Sequence, residues 1–256
     1  MAGVGTLIGR VLAPVLVGLV LLGGWLLLVD VARVPPSLIP SPWTIWDEFV
    51  ANLGIIARDA LLTGTNAVLG LVVGGIIAVL AAALAARLTA VDGMLAPIVA
   101  ALAVVPIVAL TPILNTMFGA SAQTGRIVIA SLAAFVPVFI NMLRGLRQAQ
   151  PVQRDLFAAY AAGGPKTFAK LTFPSALPHL LTGVRIASSL AVIAAVVAEY
   201  FGGPAIGVGT AIASYAKSGR IPLAWAYVGA AIAIGLVLFL ITGLLERIVR
   251  RYRPEH

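Results

Sequence analysis

The side chains able to do chemistry are few: two histidines, nine acidic residues and no cysteine among 256 residues. Without cysteine there is no disulfide, no thiol nucleophile and no thiolate-held metal. His179 and His256 stand far apart, the second at the end of the sequence, which is no beginning for a tetrahedral metal site. Nothing pairs a serine with a histidine, or two carboxylates, within one group of helices, as nucleophilic or general acid-base catalysis requires. Gly163-Gly164-Pro165-Lys166-Thr167 echoes a phosphate-cradling loop. The full Gly-x-x-x-x-Gly-Lys-Ser/Thr spacing is absent, however, and Pro165 stands where a phosphate needs flexible backbone amides. The expectation is a protein with no catalytic residue, no metal and no cofactor of its own.

One carboxylate stands out by position. Glu199 lies near the end of an apolar run, where a charge costs about 2.5–3.5 kcal/mol at the membrane centre and less toward the interface. It pairs with a cation such as Lys217 or Arg220, guards an outer gate, or reaches water from interfacial depth.

The elements that must hold such residues follow from composition. The chain is 61% hydrophobic and 10% charged, with a mean hydropathy of +1.08, more apolar surface than a water-soluble domain can enclose. Apolar runs cover about 7–31, 60–86, 94–118, 127–143, 181–201 and 223–245. Each is read as a membrane-spanning helix, since backbone amides in lipid must be satisfied within the segment. The short alternating segments of a membrane barrel are missing. The predicted fold is therefore an all-α polytopic membrane protein of six transmembrane helices in one domain, 1–256, with an uncleaved first helix.

The net charge of +8 comes without a basic stripe interleaved with aromatics, so no nucleic-acid partner is expected. The cations set orientation instead. Arg10, Arg87, Arg144, Arg147, Arg154, Lys166, Lys170, Arg185, Arg247, Arg250, Arg251 and Arg253 outnumber Arg33, Arg58, Arg126, Lys217 and Arg220 on the other side. The positive-inside rule then puts both termini in the cytoplasm. Segment 32–59 lies outside: prolines 35, 36, 40 and 42 enforce an extended connector, and Ser41-Pro42-Trp43-Thr44 opens a short amphipathic helix. Helices two to four fill 60–143, and helices five and six fill 181–246.

Segment 144–180 becomes the longest cytoplasmic loop. Asp155 to Ala162 is read as a turn or two of helix with Leu156, Phe157 and Tyr160 on one face, stopped by Gly163 and Gly164. Pro165 starts a second short helix carrying Thr167, Phe168 and Leu171, and Pro174 and Pro178 bracket the return to the membrane. Apolar side chains on an aqueous helix-break-helix fit a docking element, in which Phe168→Asp uncouples the partner.

Within the spans, Pro106, Pro112 and Pro137 interrupt helical hydrogen bonding, and Thr111, Asn115, Asn141, Ser188 and Ser189 are candidate polar lining or helix contacts. Arg126 and Arg185 are expected to snorkel at opposite interfaces. Gly70, Gly74, Gly75 and Ala81 to Ala83 are expected at close helix contacts.

The loop resembles that of the permease subunits of binding-protein-dependent ABC importers, whose motif is Glu-Ala-Ala, three residues, Gly, and a close of the Leu-Pro kind. Pro174-Ser175-Ala176-Leu177-Pro178 matches the close. One register sets Asp155-Leu156-Phe157 at Glu-Ala-Ala and Ala161 at the glycine; a rival sets Phe157-Ala158-Ala159 there with Gly163. Three further stretches are similar to the sulfonate, taurine and nitrate branch: 34–42, Val105-Pro106-Ile107-Val108-Ala109-Leu110-Thr111-Pro112, and Ala198-Glu199-Tyr200-Phe201-Gly202. Tyr160-Ala161-Ala162 looks like the permeases for thiamin-pyrimidine precursors or riboflavin.

The resemblance implies a type I importer fold in a prokaryotic plasma (inner) membrane. It implies an ATP-binding cassette ATPase that carries the ATP and Mg and docks on Asp155 to Lys170. It also implies a periplasmic or lipid-anchored solute-binding protein, a second permease copy, and alternating access with Pro106, Thr111, Pro112, Asn115 and Glu199 as pathway or gate candidates. The alternative class is an ion-coupled secondary transporter, against which the lack of clear internal repeats argues.

Overall fold

The computed structural model describes residues 3–119, 121–202 and 206–252; His256 and Arg253 lie outside the described residues. Every element among the described residues is helical: α1 (Gly3–Leu26, continued by a π turn Leu27–Val31), α2 (Pro42–Ala51), α3 (Leu53–Arg87), α4 (Thr89–Val104), α5 (Ile107–Phe118), α6 (Thr124–Arg147), α7 (Pro151–Ala159), α8 (Gly164–Thr167, followed by a π turn Phe168–Thr172), α9 (Phe173–Phe201), α10 (Val208–Lys217) and α11 (Ile221–Tyr252).

Among the described residues, four helices are long and apolar enough to cross a membrane: Leu53–Arg87, Thr124–Arg147, Gly164–Phe201 and Ile221–Arg251. A fifth crossing results if α4 and α5, bent by more than 40°, count as one broken span. The break has a local cause. Proline disfavours α geometry in the residue before it, and Val105 is extended at φ −60°, ψ 123° with Pro106 itself at ψ 103°. The kink expected in the third apolar run is thus a division into two helices.

At 35 residues α3 is roughly 50 Å long at about 1.5 Å per residue, against a hydrocarbon core of about 30 Å, so its ends reach beyond the core. Ser41 Oγ accepts from Thr44 N at 3.2 Å and starts α2 as its N-cap, and Trp43 and Trp46 stay exposed at the helix surface. Trp25 Nε1 donates to Pro40 O at 3.1 Å, and the Trp25 and Trp225 rings lie 5.5 Å apart, which ties the end of α1 and the proline connector to α11.

α6 is the centre of the bundle, packed between α3 and α9. Its contacts are alanine on alanine: Ala67, Ala78, Ala82, Ala130, Ala134, Ala187, Ala191 and Ala195 are wholly buried. In lipid no hydrophobic force draws helices together, and small side chains let backbones approach until dispersion holds them. Gly70 and Gly74 of α3 lie directly on Ala130 and Ser131 of α6, and Gly145 and Gly183 serve the α6–α9 contact in the same way. Gly75, beside them in sequence, faces open space.

The segment between α6 and the next span is shorter than expected. Helix runs unbroken from Gly164 to Phe201, so Pro174 and Pro178 lie inside it instead of bracketing an entry. Pro174 has no amide for Lys170 O, and the helix widens into the π turn Phe168–Thr172 just before it.

Candidate functional site

A cleft of about 510 Å³ opens in the span region between the α4–α5 break, α6 and α9. Leu102, Val105 and Leu110 form one wall, and Leu132, Val136, Ile140 and Asn141 of α6 face Leu190, Ile193 and Val197 of α9. Asn141 is the polar side chain among these, and its Nδ2 donates to Pro137 O at 2.8 Å. Pro137 brings no amide to the carbonyl of Ala133, which also lines the cleft.

The sequence candidates divide around this cleft. Pro106 marks the α4–α5 break beside it and is exposed, as is Pro112 on α5. Thr111 is wholly buried, and its hydroxyl has no hydrogen-bond partner among the described residues. Asn115 Nδ2 donates to Gly202 O at 3.1 Å, tying α5 to the end of α9. Ser188 is buried and bonds Arg185 O and Thr242 Oγ1, a contact between α9 and α11. Ser189 faces a separate groove against α10 and α11.

Glu199 is wholly buried and belongs to a polar cluster assembled from four helices. Its Oε2 accepts from Thr63 Oγ1 at 2.8 Å and from Gly209 N at 3.0 Å. Thr63 Oγ1 in turn accepts from Val208 N at 3.0 Å. The first two amides of α10 are therefore capped from α3 and α9, and the positive end of that helix faces the carboxylate. Gly207, at φ 151°, lies against the carboxyl group so closely that a Cβ there would collide with it.

The pairing with Lys217 or Arg220 expected for Glu199 does not form: Arg220 instead reaches Glu48 at 3.6 Å, and Lys217 is exposed. The nearby cation is Arg126, which acts on Glu199 electrostatically. Arg126 is wholly buried, not snorkelling, with Nη1 on Ala122 O at 2.9 Å and near Gln123 Oε1 at 3.4 Å. Gln123 Oε1 also accepts from Asn66 Nδ2 at 2.8 Å. Sequence reasoning missed Thr63, Asn66 and Gln123 because a lone polar residue within an apolar run does not name its partner.

Near the other ends of α9 and α11, Glu246 accepts from Thr182 at 2.8 Å and pairs with Arg185 at 3.2 Å and Arg250 at 3.1 Å. Arg185 also lies over the Phe239 ring at 4.2 Å. A bridge of 2.7 Å joins Asp92 at the start of α4 to Arg147 at the end of α6.

The connector on this side begins with α7, where Gln153 Oε1 accepts from Gln150 N at 3.2 Å. Val152, Leu156 and Tyr160 are exposed, Tyr160 at 80%, while Phe157 is half-buried. Asp155, Lys166 and Lys170 are exposed, as are Gly163 and Gly164 in the turn. Ala161 turns the chain at φ 50°, a left-handed conformation that disfavours any side chain. Phe168 points inward: it packs against the alanine core, with the Arg87 guanidinium 5.1 Å from its ring centre and Phe173 at 6.1 Å.

Known proteins carry the same chain pattern. The family described as binding-protein-dependent transport system inner membrane component matches residues 70–254. A riboflavin transport system permease protein of Chloroflexus aurantiacus is 30% identical over 242 residues, covering 93% of this chain and 88% of that one. A probable ABC transporter permease protein of Haemophilus influenzae is 28% identical over 193 residues, 75% of this chain and 78% of its own. A formylaminopyrimidine transport permease protein of Halalkalibacterium halodurans is 32% identical over 169 residues, 65% of this chain and 67% of its own. The chain belongs to the binding-protein-dependent transport system inner membrane components, and is a multi-pass inner-membrane permease subunit of an ABC importer, not itself catalytic.

Proposed function

We propose that this permease moves its solute inward by alternating access, driven by a separate ATPase that seats on α7 and the turn after it. The observation that carries the reading is α7 itself. It presents Val152, Leu156 and Tyr160 to the aqueous side of a membrane protein, a surface whose exposure is costly unless another protein covers it. The left-handed Ala161 supports the register in which Asp155-Leu156-Phe157 stands at Glu-Ala-Ala and Ala161 at the motif's glycine, because that position is the one where glycine relieves strain.

In this reading the chain crosses the membrane six times with both termini cytoplasmic, α1 and the broken α4–α5 pair each counting as a span. ATP and Mg are held by the ATPase. A periplasmic or lipid-anchored binding protein delivers the solute, and a second copy of the chain completes the pathway around the cleft beside Pro106. Glu199 and Asn115 tie the outer ends of α3, α5, α9 and α10 into one gate-forming unit. The candidate solutes are a sulfonate-, taurine- or nitrate-like anion or a pyrimidine- or riboflavin-like precursor, and riboflavin and formylaminopyrimidine are the solutes named for two of the relatives. Nothing favours ion coupling. Affinity purification of the tagged chain in mild detergent tests the reading: an ATPase subunit co-purifies, and it is lost when 155–170 is replaced. Recovery of the chain alone, stable and without ATPase activity, contradicts it.

A further inference from the structure

We infer that the cleft beside Asn141 passes an uncharged, planar heterocycle with an amide or imide edge, not a small anion. The inference rests on the permease reading above and narrows it to a substrate class.

No Lys, Arg or His is among the residues lining the cleft, and no acid either. An anion entering it would lose hydration without meeting a compensating cation, and isolated charge in an apolar setting is the costliest group to transfer.

The acceptors decide the sign. Ala133 stands on the wall with a carbonyl that Pro137 leaves without its helical amide, and two turns further along α6 stands Asn141. Asn141 gives one amide hydrogen to Pro137 O and keeps a carbonyl oxygen and a second hydrogen for another partner. Carbonyl oxygens repel an anion and accept from a ring N–H. The free amide hydrogen of Asn141 beside these acceptors, in walls of Leu102, Val136, Ile140 and Ile193, matches a ring whose faces are apolar and whose edge alternates C=O and N–H. The volume of about 510 Å³ suits a ring system of drug-like size.

The chain's lack of cysteine gives a direct test. The Val136→Cys chain, full length in detergent, is labelled with a small maleimide in the presence of riboflavin or of ethanesulfonate, a simple monoanion. The expected result is labelling slowed several-fold by riboflavin and unchanged by ethanesulfonate, with the riboflavin protection removed by Asn141→Leu in the same background. Protection by ethanesulfonate, or by neither probe, overturns the inference. An ATPase partner in the pull-down together with ethanesulfonate-only protection sinks the substrate class and leaves the importer reading standing. Riboflavin protection without any ATPase partner does the reverse.

Discussion

Thr63 and Glu199, 136 residues apart in the chain, share a 2.8 Å hydrogen bond and receive consecutive amides of α10, Val208 N on the hydroxyl and Gly209 N on the carboxylate. A threonine of α3 and a carboxylate of α9 together perform the capping that a helix ordinarily finds in its own preceding residue. The α9–α10 hairpin is thereby fixed to α3, and the charge that seemed expensive from its place in an apolar run is balanced by helix amides and Arg126.

Removing that carboxylate leaves the Gly209 amide and the Thr63 hydroxyl without their acceptor and takes the nearby countercharge from buried Arg126. Glu199→Ala is expected to cost about 3–5 kcal/mol. Glu199→Gln keeps an acceptor and costs less. Thermal unfolding of the purified chain in detergent checks the order: wild type above Gln above Ala. An Ala variant as stable as wild type would mean the cluster is water-filled and does not hold the hairpin.

Gly74 and Gly75 make a matched pair for the packing argument. A Cβ on Gly74 meets the Ser131 backbone of α6, whereas one on Gly75 meets nothing. Gly74→Val should force α3 from α6, destabilise by about 1–3 kcal/mol, and shift the protein toward aggregate in size-exclusion chromatography. Gly75→Val should elute like wild type.

Ala161→Gly relieves the left-handed strain at φ 50°. The expected gain is up to about 1 kcal/mol, since the steric relief exceeds the added entropy of the unfolded chain. Slower proteolysis of the α7–α8 turn, with transport retained, is the readout.

Phe168 and Tyr160 separate docking from packing. Phe168 lies on the core beneath Arg87, so Phe168→Asp buries a charge and should lower stability by about 2 kcal/mol before any effect on a partner. Tyr160 is 80% exposed, so Tyr160→Asp should leave thermal stability unchanged within about 0.5 kcal/mol. Melting curves of the two variants, measured without the ATPase, decide between these roles.

The sequence shows helices where apolar runs exceed the bilayer thickness, the α2 cap at Ser41 and the interruption at Pro106, because each is set by neighbours in the chain. The exposed Leu156 and Tyr160 follow from the same local pattern. The inward turn of Phe168 does not, because it depends on the helix continuing through Pro174 and Pro178 by means of a π turn, where proline ordinarily marks a boundary. Nor does the Glu199 cluster: Thr63, Asn66, Gln123 and Arg126 come from distant runs, and only the close α3–α6–α9 packing joins them. Gly75, which faces open space, and the buried Gly74 differ by the rotation of α3, which a run of small residues leaves undetermined.

The role of α7 in passing ATP hydrolysis to the bundle is tested by the Leu156→Asp/Tyr160→Asp chain purified with its ATPase from mild detergent. The expected result is a folded permease of unchanged melting temperature that no longer retains the ATPase. Retention of the ATPase at wild-type stoichiometry would contradict it.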